Sequence, residues 1–125
     1  MTTVGTKYRG TKEFLLVYAN LISAAQKRDM VYYNEVASIL GIHQPGHHMA
    51  REVGQVLGEI SEDEHRAGRP MLSAVAIATK GPPGEGFFSL ANRLGKYSGS
   101  TLDDELSFWE HERDEVYRVW ATEQL

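Results

Sequence analysis

The chain contains no cysteine. That absence excludes disulfides, thiolate metal ligands, iron–sulfur clusters and cysteine nucleophiles together. It is compatible with a reducing cytosol. Long apolar runs are also lacking. No stretch approaches the ~18 residues of a membrane span, and the N-terminus has no signal-peptide core. The expectation is a cytoplasmic protein with no membrane partner. Basic charge is in short supply as well: the net charge is −4, the wrong sign for a strong non-specific nucleic-acid binder.

What is present suits one globular domain over residues 1–125. Hydrophobic residues make up 42% and charged residues 24%, ordinary values for a packed chain. A chain of this length buries ~65% or more of its unfolded surface and folds without a metal or disulfide. The charge is unevenly spread. Residues 1–99 carry eleven Lys/Arg and nine Asp/Glu, whereas residues 100–125 carry two Arg and eight Asp/Glu. The acidic end reads either as a solvated helix face or as an element that opposes contact with an anionic partner.

Periodicity and punctuation divide the chain. Residues 1–9 show no pattern and read as a loose arm. Thr11 caps a helix from Lys12 to about Lys27, whose apolar face is Leu15, Tyr18, Ala19, Ile22 and Ala25. Met30 to Tyr33 is β-branched and aromatic, hence a short strand. Asn34 caps a second helix with Val36, Ala37, Ile39 and Leu40 inside and Gly41 as its stop. Pro45-Gly46 breaks the chain before a third helix, His47 to His65, with a stripe of Met49, Val53, Val56, Leu57 and Ile60. Gly54 and Gly58 cost this helix propensity, and close approach by another element is the expected compensation. Pro70 to Thr79 reads as a buried strand, followed by a loop at 80–86 with three glycines and two prolines. A short helix at 87–94 ends at Gly95. Thr101 caps a last helix with Asp103, Asp104 and Glu105 in its first turn. Leu102, Leu106, Trp109, Val116, Tyr117 and Trp120 form its stripe.

This order predicts an α+β chain: a winged-helix-like body over 10–95 with a small β wing, and an additional acidic C-terminal helix over 101–122 packed on it. Two stretches carry a resemblance. They are Val31-Tyr32-Tyr33-Asn34-Glu35-Val36-Ala37-Ser38-Ile39-Leu40-Gly41 and Ala50-Arg51-Glu52-Val53-Gly54-Gln55-Val56-Leu57. Together, over about residues 30–60, they resemble the DNA-binding domain of O6-alkylguanine alkyltransferases and their non-catalytic alkyltransferase-like relatives. The resemblance implies a helix-turn-helix in which Tyr33 crowds the phosphate of a flipped nucleotide and Arg51 fills the gap left in the stack. Read from the residues alone, Arg51 is equally an exposed helix arginine and Tyr33 a half-buried strand tyrosine. Where the enzymes carry Pro-Cys-His-Arg, this chain has Pro70-Met71-Leu72-Ser73. A thioether cannot form the thiolate nucleophile, so alkyl transfer to this chain is excluded. The segment from Leu72 to Phe88 is similar to small bacterial proteins, some encoded near restriction or defence genes.

The remaining chemistry is sparse. His43, His47 and His48 cluster around the turn, but adjacent histidines on a helix diverge and do not chelate as an i, i+4 pair does. They read as a polar, phosphate-facing loop. The acids Glu59, Glu62, Asp63 and Glu64 are expected to repel phosphate. The expected nucleic-acid-binding set is Arg51, Tyr33, His47, His48 and Lys80, with no catalytic residue, cofactor or metal. The expected partner is DNA, or else a protein on a scaffold that does not bind DNA. A homodimer through the aromatic stripe of the C-terminal helix is a further reading, set against docking of that stripe on the body.

Overall fold

The computed structural model describes residues 5–121. Among the described residues, five α-helices and one two-stranded parallel sheet make a small α+β fold. Helix α1, Lys12–Gln26, starts where the Thr11 hydroxyl accepts the Phe14 N–H at 3.1 Å. Its buried face is Phe14, Val17, Leu21 and Ala25. The expected face is therefore turned by about one residue, and Leu15 is 67% exposed. Apolar residues fill most positions from 14 to 22, so two faces satisfy the helical spacing; packing of the Phe14 ring against Tyr18 accompanies the observed one.

Strand β1 is only Val31–Tyr32, and helix α2 runs Tyr33–Ile39. Tyr32, not Asn34, is the N-cap, and the Glu35 carboxylate accepts the Tyr32 N–H at 2.7 Å. Tyr33 is thus the first helical residue rather than a strand tyrosine. Gly41, at φ 79°, takes the left-handed conformation that ends the helix and lets the Ile42 N–H return to the Ala37 carbonyl at 2.9 Å. Helix α3 spans His47–Arg66, as its periodicity predicts.

The expected strand over 70–79 is mostly something else. Leu72–Val75 is a 3-10 turn and only Ala76–Ile77 is strand, β2. Residues 71–77 are all buried, so the alternation that distinguishes a half-buried strand is missing. β2 pairs parallel with β1, Val31 opposite Ala76. The loop at 80–84 then leads into helix α4, Glu85–Arg93, not into a returning strand. Among the described residues, the β wing is therefore replaced by this parallel pair.

The 3-10 turn is the hub of the core, packed by α1, α3 and α5, the last helix, Leu102–Trp120. Trp109 donates its indole N–H to the Ala74 carbonyl at 2.8 Å, and the buried Glu112 accepts the Met71 N–H at 2.8 Å. Tyr117 reaches the Asp29 carbonyl at 3.0 Å. The stripe of α5 is docked on the body at Trp109, Val116 and Tyr117, while Leu102 is 64% exposed. Asp103, Asp104, Glu110 and Asp114 face solvent.

Residues 5–9 are no loose arm; residues 1–4 lie outside the described chain. The backbone N–H groups of Lys7, Tyr8 and Arg9 converge on the carboxylate of Glu59 at 2.9–3.1 Å, and Glu59 is fully buried. Arg9 adds Glu62 at 2.8 Å and Asp63 at 3.0 Å. Lys7 and the Tyr8 hydroxyl hold Glu52. The hydrogen bonds from Lys7 and then Tyr8 bring the Glu52 carboxyl down to about 2. Burial alone would raise Glu59, but bonds from Gln55 and from the strap N–H groups outweigh it and lower it. On the far side of α3, Glu64 accepts from Tyr18 and pairs with Arg69 at 2.8 Å. The acids of α3 are thus turned inward and compensated, which removes most of the repulsion expected of them.

Candidate functional site

The turn between α2 and α3 leaves the start of α3 open. Gly46 is its N-cap at φ 138°, no side chain caps the first turn, and no acid lies there. The N–H groups of that turn keep their partial positive charge for an outside acceptor. By contrast, α5 is closed by Thr101, whose hydroxyl accepts the Asp104 N–H at 3.1 Å, and by three acids.

His47, His48 and Arg51 are all exposed on these first turns. The Arg51 side chain is 69% exposed, with its Nε 3.6 Å from Glu52 and a terminal nitrogen 3.3 Å from His48 Nδ1. Both contacts are long, and Glu52 is already held by Lys7 and Tyr8, so the guanidinium keeps donors free for a ligand. Lys80 is exposed in the loop that follows Thr79. Among the described residues, no group of three His, Asp or Glu is placed to hold a metal ion.

Beside this surface lies a cavity of about 550 Å³, within the usual size of small-molecule sites. Its walls come from the start of α2, the middle of α3, Ser73, Ala78 and Thr79, and the 84–90 segment. Met49, Val53, Leu57, Phe87 and Leu90 make it largely apolar, and exposed Ala50, Gly54 and Gly86 stand at its edge. Gly54 and Gly58 both line it. A Cβ on Gly54 would meet nothing within 4 Å. At Gly54, then, the missing side chain does not admit a neighbouring element, as its sequence context suggests; it keeps space open.

Three hydroxyls border the cavity, those of Tyr33, Ser73 and the exposed Thr79. Tyr33 accepts the Gly84 N–H at 2.8 Å. Burial, only partly offset by that bond, raises its phenol above the ordinary value, so it stays protonated. Ser73 is 5% exposed and forms a pair with the buried Ser61: the Ser61 hydroxyl donates to Ser73 Oγ at 2.6 Å and accepts the Ser73 N–H at 3.0 Å. Of the predicted set, Tyr33 lines the cavity, while Arg51, His47, His48 and Lys80 lie outside its walls, the first three on the turns of α3 whose Gly46, Met49 and Ala50 do line it. Sequence reasoning missed the cavity and Ser73. The available signal was the pair of glycines on an otherwise well-formed helix.

A second, polar cleft of about 390 Å³ lies between the end of α3 and α5, bordered by His65, Arg69, Lys96, His111 and Arg118. Its cations are matched one for one: Arg69 with Glu64, Lys96 with Glu112 and Arg118 with Glu115, at 2.8–2.9 Å. Such compensation leaves little field for a ligand.

Comparison with protein families, with curated proteins and with solved structures finds no match to this chain. No helix among the described residues is long and apolar enough to cross a membrane.

Proposed function

We propose that this chain is a non-enzymatic, DNA-associated helix-turn-helix module, acting in DNA processing or defence, that holds one base out of the duplex. The observation that carries the reading is the apolar cavity opening beside an uncapped helix start that bears Arg51. The α2–turn–α3 pair serves as the helix-turn-helix. The N–H groups of the first turn and the side chains of His47 and His48 take phosphate. Arg51 enters the stack, Lys80 adds a backbone contact, and Tyr33 stands where the displaced nucleotide enters the cavity. Unstacking a base costs a few kcal/mol. Burial of its ring against Met49, Val53, Leu57 and Phe87 offsets part of this at ~25 cal/mol per Å².

The inward-turned acids of α3 support this reading despite the net charge of −4. A salt titration of fluorescence anisotropy on duplex and single-stranded DNA tests it. Generic duplex should bind with Kd of ~10⁻⁴–10⁻⁶ M, weakening as salt rises. Arg51→Ala should lose ~1–3 kcal/mol of affinity and only ~0.5 kcal/mol of stability. Equal binding by Arg51→Ala, or none by the wild type at low salt, would remove the proposal.

One observation favours a second reading, a protein-interaction module. Leu15 and Leu16 on α1 are 67% and 53% exposed, two adjacent apolar side chains that a partner surface would cover. That reading takes over if DNA binding fails.

A further inference from the structure

Among the polar side chains that line the cavity, Ser73 is the buried one. Its oxygen accepts the Ser61 proton at 2.6 Å. Ser61 in turn accepts the Ser73 N–H at 3.0 Å. A serine hydroxyl has one proton and two lone pairs. The two hydroxyls share one bond, so one proton is spare; Ser61 is fully buried away from the cavity walls, and the spare proton therefore falls to Ser73, which lines the cavity. Ser73 is 5% exposed, so bulk water does not readily serve it, and the wall is mostly apolar, with Tyr33, Asn34, Thr79 and Glu85 as its other polar side chains. A buried donor without a partner is costly, which makes the position informative about what completes it. Accepting from Ser61 also polarises the Ser73 hydroxyl and strengthens it as a donor.

We infer that Ser73 is a specificity-determining residue of this cavity: oriented by Ser61, it donates a hydrogen bond to a ring-nitrogen or carbonyl acceptor on the bound heterocycle. The inference rests on the proposed base-holding function and narrows it. The cavity selects a planar ring that shows an acceptor to the Ser73 side and tolerates apolar substituents elsewhere, because Val53, Leu57 and Phe87 offer nothing polar. A ring of equal shape with no acceptor pays the same unstacking cost and leaves the Ser73 proton unmet.

The test uses the full chain and three duplexes of one sequence. One has a central 2-aminopurine, whose ring nitrogens accept and whose fluorescence rises on unstacking. One has an indole nucleoside of similar shape without such acceptors, and one has an abasic site. Wild type should prefer 2-aminopurine to indole by roughly threefold to tenfold, the loss expected for one neutral hydrogen bond. Ser73→Ala should erase that preference, reduce the 2-aminopurine signal and leave abasic-site binding unchanged. Ser73→Cys, close in size and a poor donor, carries the same test if the alanine variant is unstable. Ser73→Thr keeps the hydroxyl and should keep the preference. Equal binding of both base duplexes by the wild type, or a preference that survives Ser73→Ala, overturns the assignment while the DNA-binding reading stands. Absence of binding to all three duplexes removes that reading, and the assignment with it.

Discussion

The strap over α3 gives the sharpest stability prediction. Glu59→Ala removes the carboxylate that takes the N–H groups of Lys7, Tyr8 and Arg9 at 2.9–3.1 Å and the Gln55 amide at 2.8 Å. Hydrogen bonds to a charged group contribute ~1.5–3 kcal/mol each. They form one unit and do not add. The freed N–H groups can also swing out to water, and the variant no longer bears the cost of burying a charge. The net loss should therefore be about 3 kcal/mol, a large part of the ~5–15 kcal/mol total of a typical domain. Thermal and urea unfolding at neutral pH would show this as a fall on the order of 10 °C in Tm. Deleting residues 1–9 should cost about as much, because the strap and Glu59 work as a unit. Loss of under 1 kcal/mol in Glu59→Ala, or a deletion far milder than the point variant, would refute the reasoning.

Other expectations follow from the same structure. Glu52, at about 2, and the lowered Glu59 are both depressed in the fold; their contribution is complete above the ordinary carboxylate range and is lost as pH falls toward 2. Unfolding midpoints between pH 6 and 2 should drop over that window, and Glu52→Gln should flatten the drop. Gly54→Ala should raise stability by ~0.5–1 kcal/mol, since it fits space that is open; Gly54→Leu should fold equally well in circular dichroism yet abolish the 2-aminopurine signal. Trp109→Ala should cost ~3–5 kcal/mol, because the indole is 6% exposed and bonded to Ala74; an unchanged melting temperature would show that α5 is an appendage. Incubation with O6-alkylguanine DNA should leave the mass of this cysteine-free chain unchanged, and an added alkyl group in the mass spectrum would contradict that.

Local signals carried much of the architecture into the sequence. Thr11 and Thr101 cap as their spacing requires, Gly41 ends α2, and the α3 stripe is buried at Val53, Val56, Leu57 and Ile60. The failures share a cause: each depended on contacts distant in the chain. In α1 two apolar faces competed, and the neighbours it meets chose between them. The 70–79 segment is apolar on every side because three helices surround it, so its period carried no information. The acids of α3 read as a repelling surface until the strap, some fifty residues earlier, covered Glu59, Glu62 and Asp63, and Tyr18 with Arg69 took Glu64. Arg51 and Tyr33 drew attention through a motif; Tyr33 lines the cavity, and Arg51 is exposed on the helix start beside it, outside the walls. The position of Ser73 was not legible, since its pairing with Ser61 and its place on the cavity wall arise from contacts between distant segments.

The most direct test of the proposed function is residue-resolved: ¹H–¹⁵N NMR of the full chain as duplex DNA is added at low salt. Shifts should be confined to His47, His48, Arg51, Gly54, Lys80 and the 84–86 segment, with α5 and the exposed Leu15–Leu16 side of α1 unmoved. Shifts centred on α1 or α5, or a spectrum that DNA leaves unchanged, would contradict it.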